Sequence, residues 1–113
     1  MKLTREEALK LHRQMWSDMQ RDLGDTPMRM SRIKYKQLWI AKHFPDEDVC
    51  NNCFLCEYDR LRRVCDDDDW TYSRCKCLIR WPRGRCETCA DESDWRYMPI
   101  SELLALPERE DVE

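Results

Sequence analysis

The sequence predicts an α+β fold. An N-terminal helical hairpin packs on a small, irregular, cysteine-stapled module that has a minor β-sheet, and a short C-terminal helix closes the domain. Three observations predict this fold: helical periodicity at the start, a cysteine cluster in the middle and a short apolar run near the end. A length of 113 residues suits a single domain, 1–113, made of the hairpin (1–44), the cysteine-rich module (45–98) and the last helix and tail (99–113).

The first helix is predicted over residues 4–23. Thr4 and Glu7 form a capping-box pattern, in which each side chain bonds the other's backbone N–H. Gly24 stands where helices commonly end, and Pro27 prevents an early restart. One stripe is interpreted as the core side of a helix pair, with partner binding as the alternative. Its residues are Ala8, Leu11, Met15, Met19 and Leu23, with Trp16 beside them.

The second helix is predicted from Ser31 to His43 and should form an antiparallel hairpin with the first. Pro45 ends it, because the residue before a proline is pushed out of the α region. Arg32, Lys36 and Lys42 are predicted to lie off its apolar face. That face is predicted to consist of Ile33, Gln37, Leu38, Ile40, Ala41 and Phe44.

The rest of the chain is predicted to hold little regular structure. Short strands are expected around 70–74 and 78–81, and they would form the minor sheet. A short helix is predicted over 101–106, with Ser101 as its cap and Pro107 as its stop. The acidic residues 108–113 follow as a frayed tail.

Eight cysteines lie between residues 50 and 89. Two pairs, Cys53/Cys56 and Cys86/Cys89, have the Cys-x-x-Cys spacing that lets two thiolates of one turn bind the same tetrahedral ion. The N-terminus lacks the apolar segment of a signal peptide, so the chain is expected in the cytoplasm, where thiols stay reduced. Metal is therefore preferred over disulfides and over redox-active thiols. The other cysteines are Cys50, Cys65, Cys75 and Cys77.

The expected metal is Zn²⁺ in one structural site, with an iron–sulfur cluster as the alternative that the spacing leaves open. Four thiolates leave no coordination position for water, so the site is interpreted as a scaffold. Structural zinc contributes roughly 10–16 kcal/mol of apparent binding free energy, which a segment with few apolar residues needs in order to fold. Cys50, Cys65 and Cys89 are interpreted as buried or spare thiols, with a second zinc site as the alternative.

No catalytic residues are predicted, and the chain is interpreted as non-enzymatic. His12 and His43 are far apart, lack a triad or metal-binding context, and are interpreted as ordinary surface or half-buried side chains. With only Gly24 and Gly84 there is no phosphate-cradling loop. The Cys53–Cys56 pair lacks the βαβ setting of a redox motif.

Charge is segregated along the chain, although the net charge is only −3. A basic stretch, 74–86, includes Trp81 and suits nucleic-acid binding. An acidic run, 66–69, suits a basic channel in a protein partner. A protein partner is preferred because the whole chain is acidic, and the protein is expected to be a monomer without membrane contact. The predicted partner-binding residues are Asp66, Asp67, Asp68, Asp69, Arg80, Trp81, Arg83 and Arg85.

The stretch Cys53-Phe54-Leu55-Cys56-Glu57-Tyr58, followed by Cys77-Leu78-Ile79-x-Trp81-Pro82-x-Gly84-x-Cys86, resembles small uncharacterised proteins of bacteriophages and prophages of Gram-positive bacteria. Their pattern reads roughly C-x-x-C-x-x-Y, then C-P-[LI]-x-W, then a glycine and a further cysteine. The resemblance implies Cys53, Cys56, Cys77 and Cys86 as the zinc ligands. This chain has Leu78 for the proline and Cys75-x-Cys77 for a C-x-x-C, so Cys75 stays an alternative ligand, as does Cys89 from the spacing.

The same resemblance implies a function. Small phage proteins of this kind often inhibit host machinery, and zinc-bearing anti-CRISPR proteins are similar. The implied function is inhibition of a host protein in the bacterial cytoplasm, a CRISPR effector nuclease, by blocking DNA loading. The alternative is a zinc-knuckle-like regulatory protein that binds nucleic acid.

Overall fold

The computed structural model describes residues 2–49, 53–60, 78–79 and 98–108. These ranges contain four α-helices: α1 (Arg5–Leu23), α2 (Arg29–His43), α3 (Phe54–Arg60) and α4 (Ile100–Leu104). Helix α1 contacts each of the other three, so it lies at the centre of the arrangement. Among the described residues, no helix is long and apolar enough to cross a membrane.

The predicted α+β class is wrong, because the described part of the chain is helical and contains no sheet. Its β pairing is one isolated antiparallel bridge between Ile79 and Glu108. Leu78 and Ile79 are both buried, so the apolar pair taken for a strand fills the core directly. The strand predicted around 70–74 lies outside the described residues.

Helix α1 matches its prediction closely. Thr4 Oγ1 accepts a hydrogen bond from the Glu7 N–H at 3.1 Å, and Glu7 Oε1 accepts one from the Thr4 N–H at 3.0 Å, so the capping box is confirmed. Gly24 ends the helix at φ +90°, a conformation that glycine adopts far more easily than other residues. Leu23, which was predicted to belong to the core stripe of this helix, is exposed. The buried residues of α1 are Ala8, Leu9, His12, Met15, Trp16 and Met19.

Helix α2 turns a different side towards the core from the one that the sequence predicts. Arg32 and Lys36, predicted to lie off that face, are only 1% and 3% exposed, whereas Leu38 is 59% exposed. The Arg32 guanidinium donates to the carbonyls of Pro27 and Met98, at 2.9 and 2.7 Å, and such partners make its burial tolerable. The Lys36 ammonium lies 5.8 Å from the centre of the Trp16 ring, a cation–π contact.

The hydrogen bonds between α1 and α2 show that the two helices are antiparallel. Trp39 Nε1 donates to the Asp18 carboxylate at 2.8 Å, and the Tyr35 hydroxyl donates to Asp22 at 2.5 Å. A higher residue number in α2 thus pairs with a lower one in α1, which agrees with the predicted antiparallel hairpin. These same bonds fix which side of α2 faces α1.

Helix α4 is held by the loop between α1 and α2. The Ile100 N–H donates to the Asp25 carbonyl at 2.7 Å, and the Ser101 N–H donates to the Asp25 carboxylate at 2.7 Å. The prediction that Ser101 caps this helix is therefore wrong, because the capping group comes from Asp25 in a remote loop. Pro99 occupies the N-cap position without a side-chain hydrogen bond.

The hydrophobic core joins all four described ranges. Helix α1 supplies its central methionines, α3 supplies Phe54 and Leu55, and the short range 78–79 supplies both of its side chains. Ile100 and Leu103 of α4 complete this cluster and are fully buried. The division into a single domain, 1–113, stays a prediction.

Candidate functional site

Cys53 and Cys56 lie at the start of α3. Cys53 directly precedes the helix and Cys56 is its third residue. The Glu57 N–H donates to the Cys53 carbonyl at 2.9 Å, which closes the first helical turn. The two cysteines therefore belong to one turn of backbone, as a Cys-x-x-Cys pair on a tetrahedral ion does. This segment was predicted to be irregular, and its helix is a correction to that prediction.

The cysteine-bearing turn is anchored by the residues between the two cysteines. The Phe54 ring is fully buried and meets both Trp39 and Phe44 edge-on, with ring centres 5.7 Å apart in both pairs. Leu55 is also fully buried, and Cys53 packs half-buried against the same core. The backbone of this turn is thus fixed by apolar packing on α1 and α2.

A second anchor lies directly after Cys77 in the sequence. Leu78 and Ile79 are buried in the same core as Phe54. Ile79 pairs with Glu108 through the antiparallel bridge. The Glu108 carboxylate accepts from Arg13 at 2.9 Å and lies 3.7 Å from Arg5, so α1 holds this bridge in place.

In the described residues, the backbone places Cys53 and Cys56 on the first turn of α3, which is the spacing that two ligands of one tetrahedral ion use. Within the ranges that the structure describes, no group of three or more His, Cys, Asp or Glu side chains is placed to hold a metal ion. The predicted Zn²⁺ site stays a prediction. The other predicted site residues lie outside the described ranges: Cys75, Cys77, Cys86, Cys89, Asp66, Asp67, Asp68, Asp69, Arg80, Trp81, Arg83 and Arg85.

Sequence reasoning missed three buried ionisable side chains, one on each of α1, α2 and α3. The prediction that His12 is a surface or half-buried residue is wrong, because it is 2% exposed. Helical spacing could have found it, since Ala8 and Trp16, four residues to either side, face the core. Lys36 of α2 and Glu57 of α3 are buried as well.

The His12 imidazole is held in its neutral form. Burial, as the largest cause, and the nearby charges of Lys36 and Arg13 together lower its pKa to about 3. Its Nδ1 atom has no hydrogen-bond partner among the described residues. A neutral imidazole in this position supports packing of α1, and its protonation would be strongly opposed.

A small cleft of about 230 Å³ lies between α1 and α2. The Asp22 carboxylate accepts from the Tyr35 hydroxyl and from Arg21 Nε, the latter at 3.0 Å. These bonds, that from Arg21 first, lower the pKa of Asp22, and burial with the Asp22 bond raises the pKa of Tyr35 to about 12. The polar groups therefore fasten the two helices. The cleft is lined by Asp18, Arg21, Asp22, Tyr35, Leu38, Trp39, Lys42 and His43.

His43 lies exposed at the edge of this cleft. Its ring stacks on Trp39 with 4.0 Å between ring centres. The interpretation of His43 as an ordinary surface side chain agrees with this position. The cleft thus offers aromatic walls beside charged side chains, an arrangement suited to binding.

Comparisons of the chain with family models, with curated proteins and with solved structures each found no match. The resemblance to phage proteins therefore stays an expectation based on the cysteine motif.

Proposed function

We propose that this protein is a non-enzymatic binding protein, stabilised by Zn²⁺, whose target is another protein. The observation that carries the proposal is the placement of Cys53 and Cys56 on one core-anchored turn at the start of α3. A closed thiolate site stabilises a fold and keeps no coordination position for a reacting water.

The proposed ligands are Cys53, Cys56, Cys77 and Cys86, with Cys75 and Cys89 as alternatives. Bound zinc supplies four thiolate bonds that cross-link segments distant in sequence. The shared core supports this set, because Leu78, next to Cys77 in the sequence, is buried with Phe54, next to Cys53. The shared core thereby brings the segment next to Cys53 and the segment next to Cys77 to one place.

The proposed target is a protein of the bacterial host cell, and the first one to test is a CRISPR effector nuclease. The support for that target is the resemblance of the motif, which is an analogy. A protein is favoured over nucleic acid because the chain carries a net charge of −3, whereas phosphate binding uses a positive excess. The proposed contact residues are Asp66–Asp69 together with Arg80, Trp81, Arg83 and Arg85. Obstruction of DNA loading needs no turnover.

The metal is tested by elemental analysis and thiol titration of the purified full chain. We expect one zinc per chain, and we expect Cys53→Ser and Cys56→Ser to yield zinc-free, insoluble protein. Cys65→Ser is the matched control and should stay folded and zinc-replete. A soluble, zinc-replete Cys56→Ser protein would contradict the ligand set. Cooperative unfolding of the metal-free wild-type chain would contradict the stabilising role.

The target is tested with two charge variants. In the first, Asp66–Asp69 become Asn, and in the second, Arg80, Arg83 and Arg85 become Gln. We expect the wild type to inhibit DNA cleavage by a host RNA-guided nuclease and the Asn variant to lose that inhibition. In a mobility-shift assay, neither the wild type nor the Asn variant should shift DNA or RNA. A nucleic-acid shift that only the Gln variant loses would instead establish the nucleic-acid-binding alternative.

A further inference from the structure

Helix α2 carries an exposed row of side chains on the side opposite its buried stripe. Met30, Lys34, Leu38 and Lys42 follow one another at intervals of four residues, so they form one ridge along the helix. All four are exposed, and the two apolar members are 70% and 59% exposed. We call these four residues the outer row. Apolar and basic side chains alternate along it, about 6 Å apart along the helix axis.

The charge of α2 is one-sided. The helix contains five basic residues and no acidic one, although the whole chain is acidic. Arg29, Lys34 and Lys42 are exposed, and within the part of the chain that the structure describes none of the three forms a salt bridge. By contrast, Arg13 and Arg21 of α1 pair with carboxylates. Lys42 also acts on the Asp22 carboxylate of α1, whose pKa it helps to lower, so the outer row presents apolar side chains beside positive charge that is least compensated at Lys34.

We propose that the outer row of α2 is the docking surface for an acidic amphipathic helix of a partner protein. Such a helix would pack apolar residues against Met30 and Leu38 while its carboxylates lie beside Lys34 and Lys42. This proposal deepens the proposed function and rests on it, because it names the surface and the chemistry of the protein target.

The cleft between α1 and α2 adds an anchor point to this surface. Leu38 and Lys42 belong both to the outer row and to the wall of the cleft, where aromatic side chains lie beside the Asp18 and Asp22 carboxylates, so the anchor residue that enters is an uncharged one. A large side chain of the docked helix can enter there beside Leu38. Anchor residues that fill such aromatic-lined hollows contribute much of the affinity in protein interfaces.

Other occupants fit the outer row less well. A membrane-bound helix buries a wide apolar face, and the inner stripe of α2, with Trp39 and Ile40, is already buried in the protein. Nucleic acid would place phosphates against Met30 and Leu38. A second copy would bring an identical basic row, with no carboxylate in it, against Lys34 and Lys42.

The probes are two synthetic helical peptides of about 20 residues, each about 30 Å long. They share the same leucine spacing and carry glutamate or lysine at the flanking positions. Each is titrated into the full-length, zinc-loaded, ¹⁵N-labelled protein. We expect the glutamate peptide to shift the amide signals of residues 30–42 and to bind at least about tenfold more tightly than the lysine peptide.

Two variants with matched controls locate the surface. Leu38→Ser and Lys34→Glu should each weaken the glutamate peptide about tenfold or more. Leu23→Ser and Lys10→Glu change an exposed leucine and an exposed lysine of α1, and they should leave binding unchanged. Equal affinity for both peptides, no binding, or an effect only in the control variants would overturn the proposal.

Further outcomes would overturn it in favour of another occupant. These are Leu38-dependent binding to anionic phospholipid vesicles, Lys34-dependent binding to duplex DNA, or self-association that Leu38→Ser abolishes. The nuclease assay separates the two levels of inference. If the wild type inhibits and the Met30→Ser/Leu38→Ser variant inhibits equally, the docking row is wrong and the proposed function stands. If the wild type does not inhibit while the glutamate peptide still binds the outer row, the named target is wrong and the docking row stands.

Discussion

The Asp25 carboxylate accepts hydrogen bonds from both the backbone N–H and the hydroxyl of Ser101, at 2.7 and 2.9 Å. These residues are 76 positions apart in the chain. The same carboxylate also accepts from Gln20 Nε2 at 3.0 Å. A single loop residue thus links the end of α1 to the start of α4, and its pKa is lowered, chiefly by the Ser101 N–H bond.

Replacing Asp25 with alanine should lower the free energy of unfolding at neutral pH. It should also weaken the dependence of that free energy on pH in the acidic range. Because the folded pKa of Asp25 is lowered, its contribution is present above the unfolded pKa and is lost as the pH falls through the folded value. Urea unfolding of wild type and variant at neutral pH and below pH 4 measures both effects. Asp46→Ala, at an exposed loop position, is the control. Equal losses in the two variants would show that the Ser101 contact contributes nothing.

His12 should make the protein sensitive to mild acid. Its pKa is about 3 in the folded protein and has the ordinary value of 6.5 in the unfolded chain, so the unfolded state binds more protons between these values. Stability should therefore decrease as the pH falls from 6.5 to 3, by up to about 1.4 kcal/mol per pH unit.

The variant His12→Met fills the same buried position with an apolar side chain and removes the ionisable imidazole. We expect its free energy of unfolding to be flat between pH 5 and 6.5 and no lower at pH 7 than that of the wild type, because a buried unsatisfied nitrogen is removed. His43→Gln, at the exposed histidine, is the control. An NMR titration that placed the His12 imidazole pKa near 6.5 in the folded protein would contradict the predicted loss of stability in mild acid.

The corrected orientation of α2 can be checked with two substitutions that the sequence alone would treat alike. Ile40→Ala should lower the free energy of unfolding by about 2–5 kcal/mol, because Ile40 is buried. Leu38→Ala should change it by less than about 0.5 kcal/mol, because Leu38 is exposed. Denaturant unfolding measures both. A larger decrease in the free energy of unfolding for Leu38→Ala would instead support the apolar face predicted from the sequence, in which Leu38 is buried.

Gly24→Ala should destabilise the protein through the backbone alone. The glycine has φ +90° and ψ −179°, a region that other residues occupy at a cost of about 1–3 kcal/mol. An added Cβ would meet nothing within 4 Å, so no steric clash contributes. Thermal unfolding should show a lower Tm, whereas the exposed helix position Gln14→Ala should not. An unchanged Tm for Gly24→Ala would mean that the loop adopts another conformation.

Features set by neighbours in sequence were predictable. The bounds of α1 follow from Thr4, Glu7 and Gly24, which act within a few residues of themselves. The Cys53/Cys56 spacing likewise predicted two cysteines on one turn, although the turn belongs to a helix. The apolar spacing of Phe54 and Tyr58, four residues apart, is the signal that would have indicated α3.

Features set by remote partners were not predictable. Arg32 is buried because carbonyls of Pro27 and Met98 accept its hydrogen bonds, and Met98 lies 66 positions away. The charged side chain therefore faces inward, and the predicted apolar face of α2 was right for Ile40 but wrong for Leu38. The cap of α4 was missed for the same reason, because Asp25 supplies it from another part of the chain.

The central position of α1 also has a consequence for synthesis on the ribosome. Its methionines and Trp16 need α3, α4 and Leu78 to cover them, and these are translated much later. A nascent chain that has only reached α2 therefore carries an uncovered apolar stripe, so stable tertiary structure must await translation of α4.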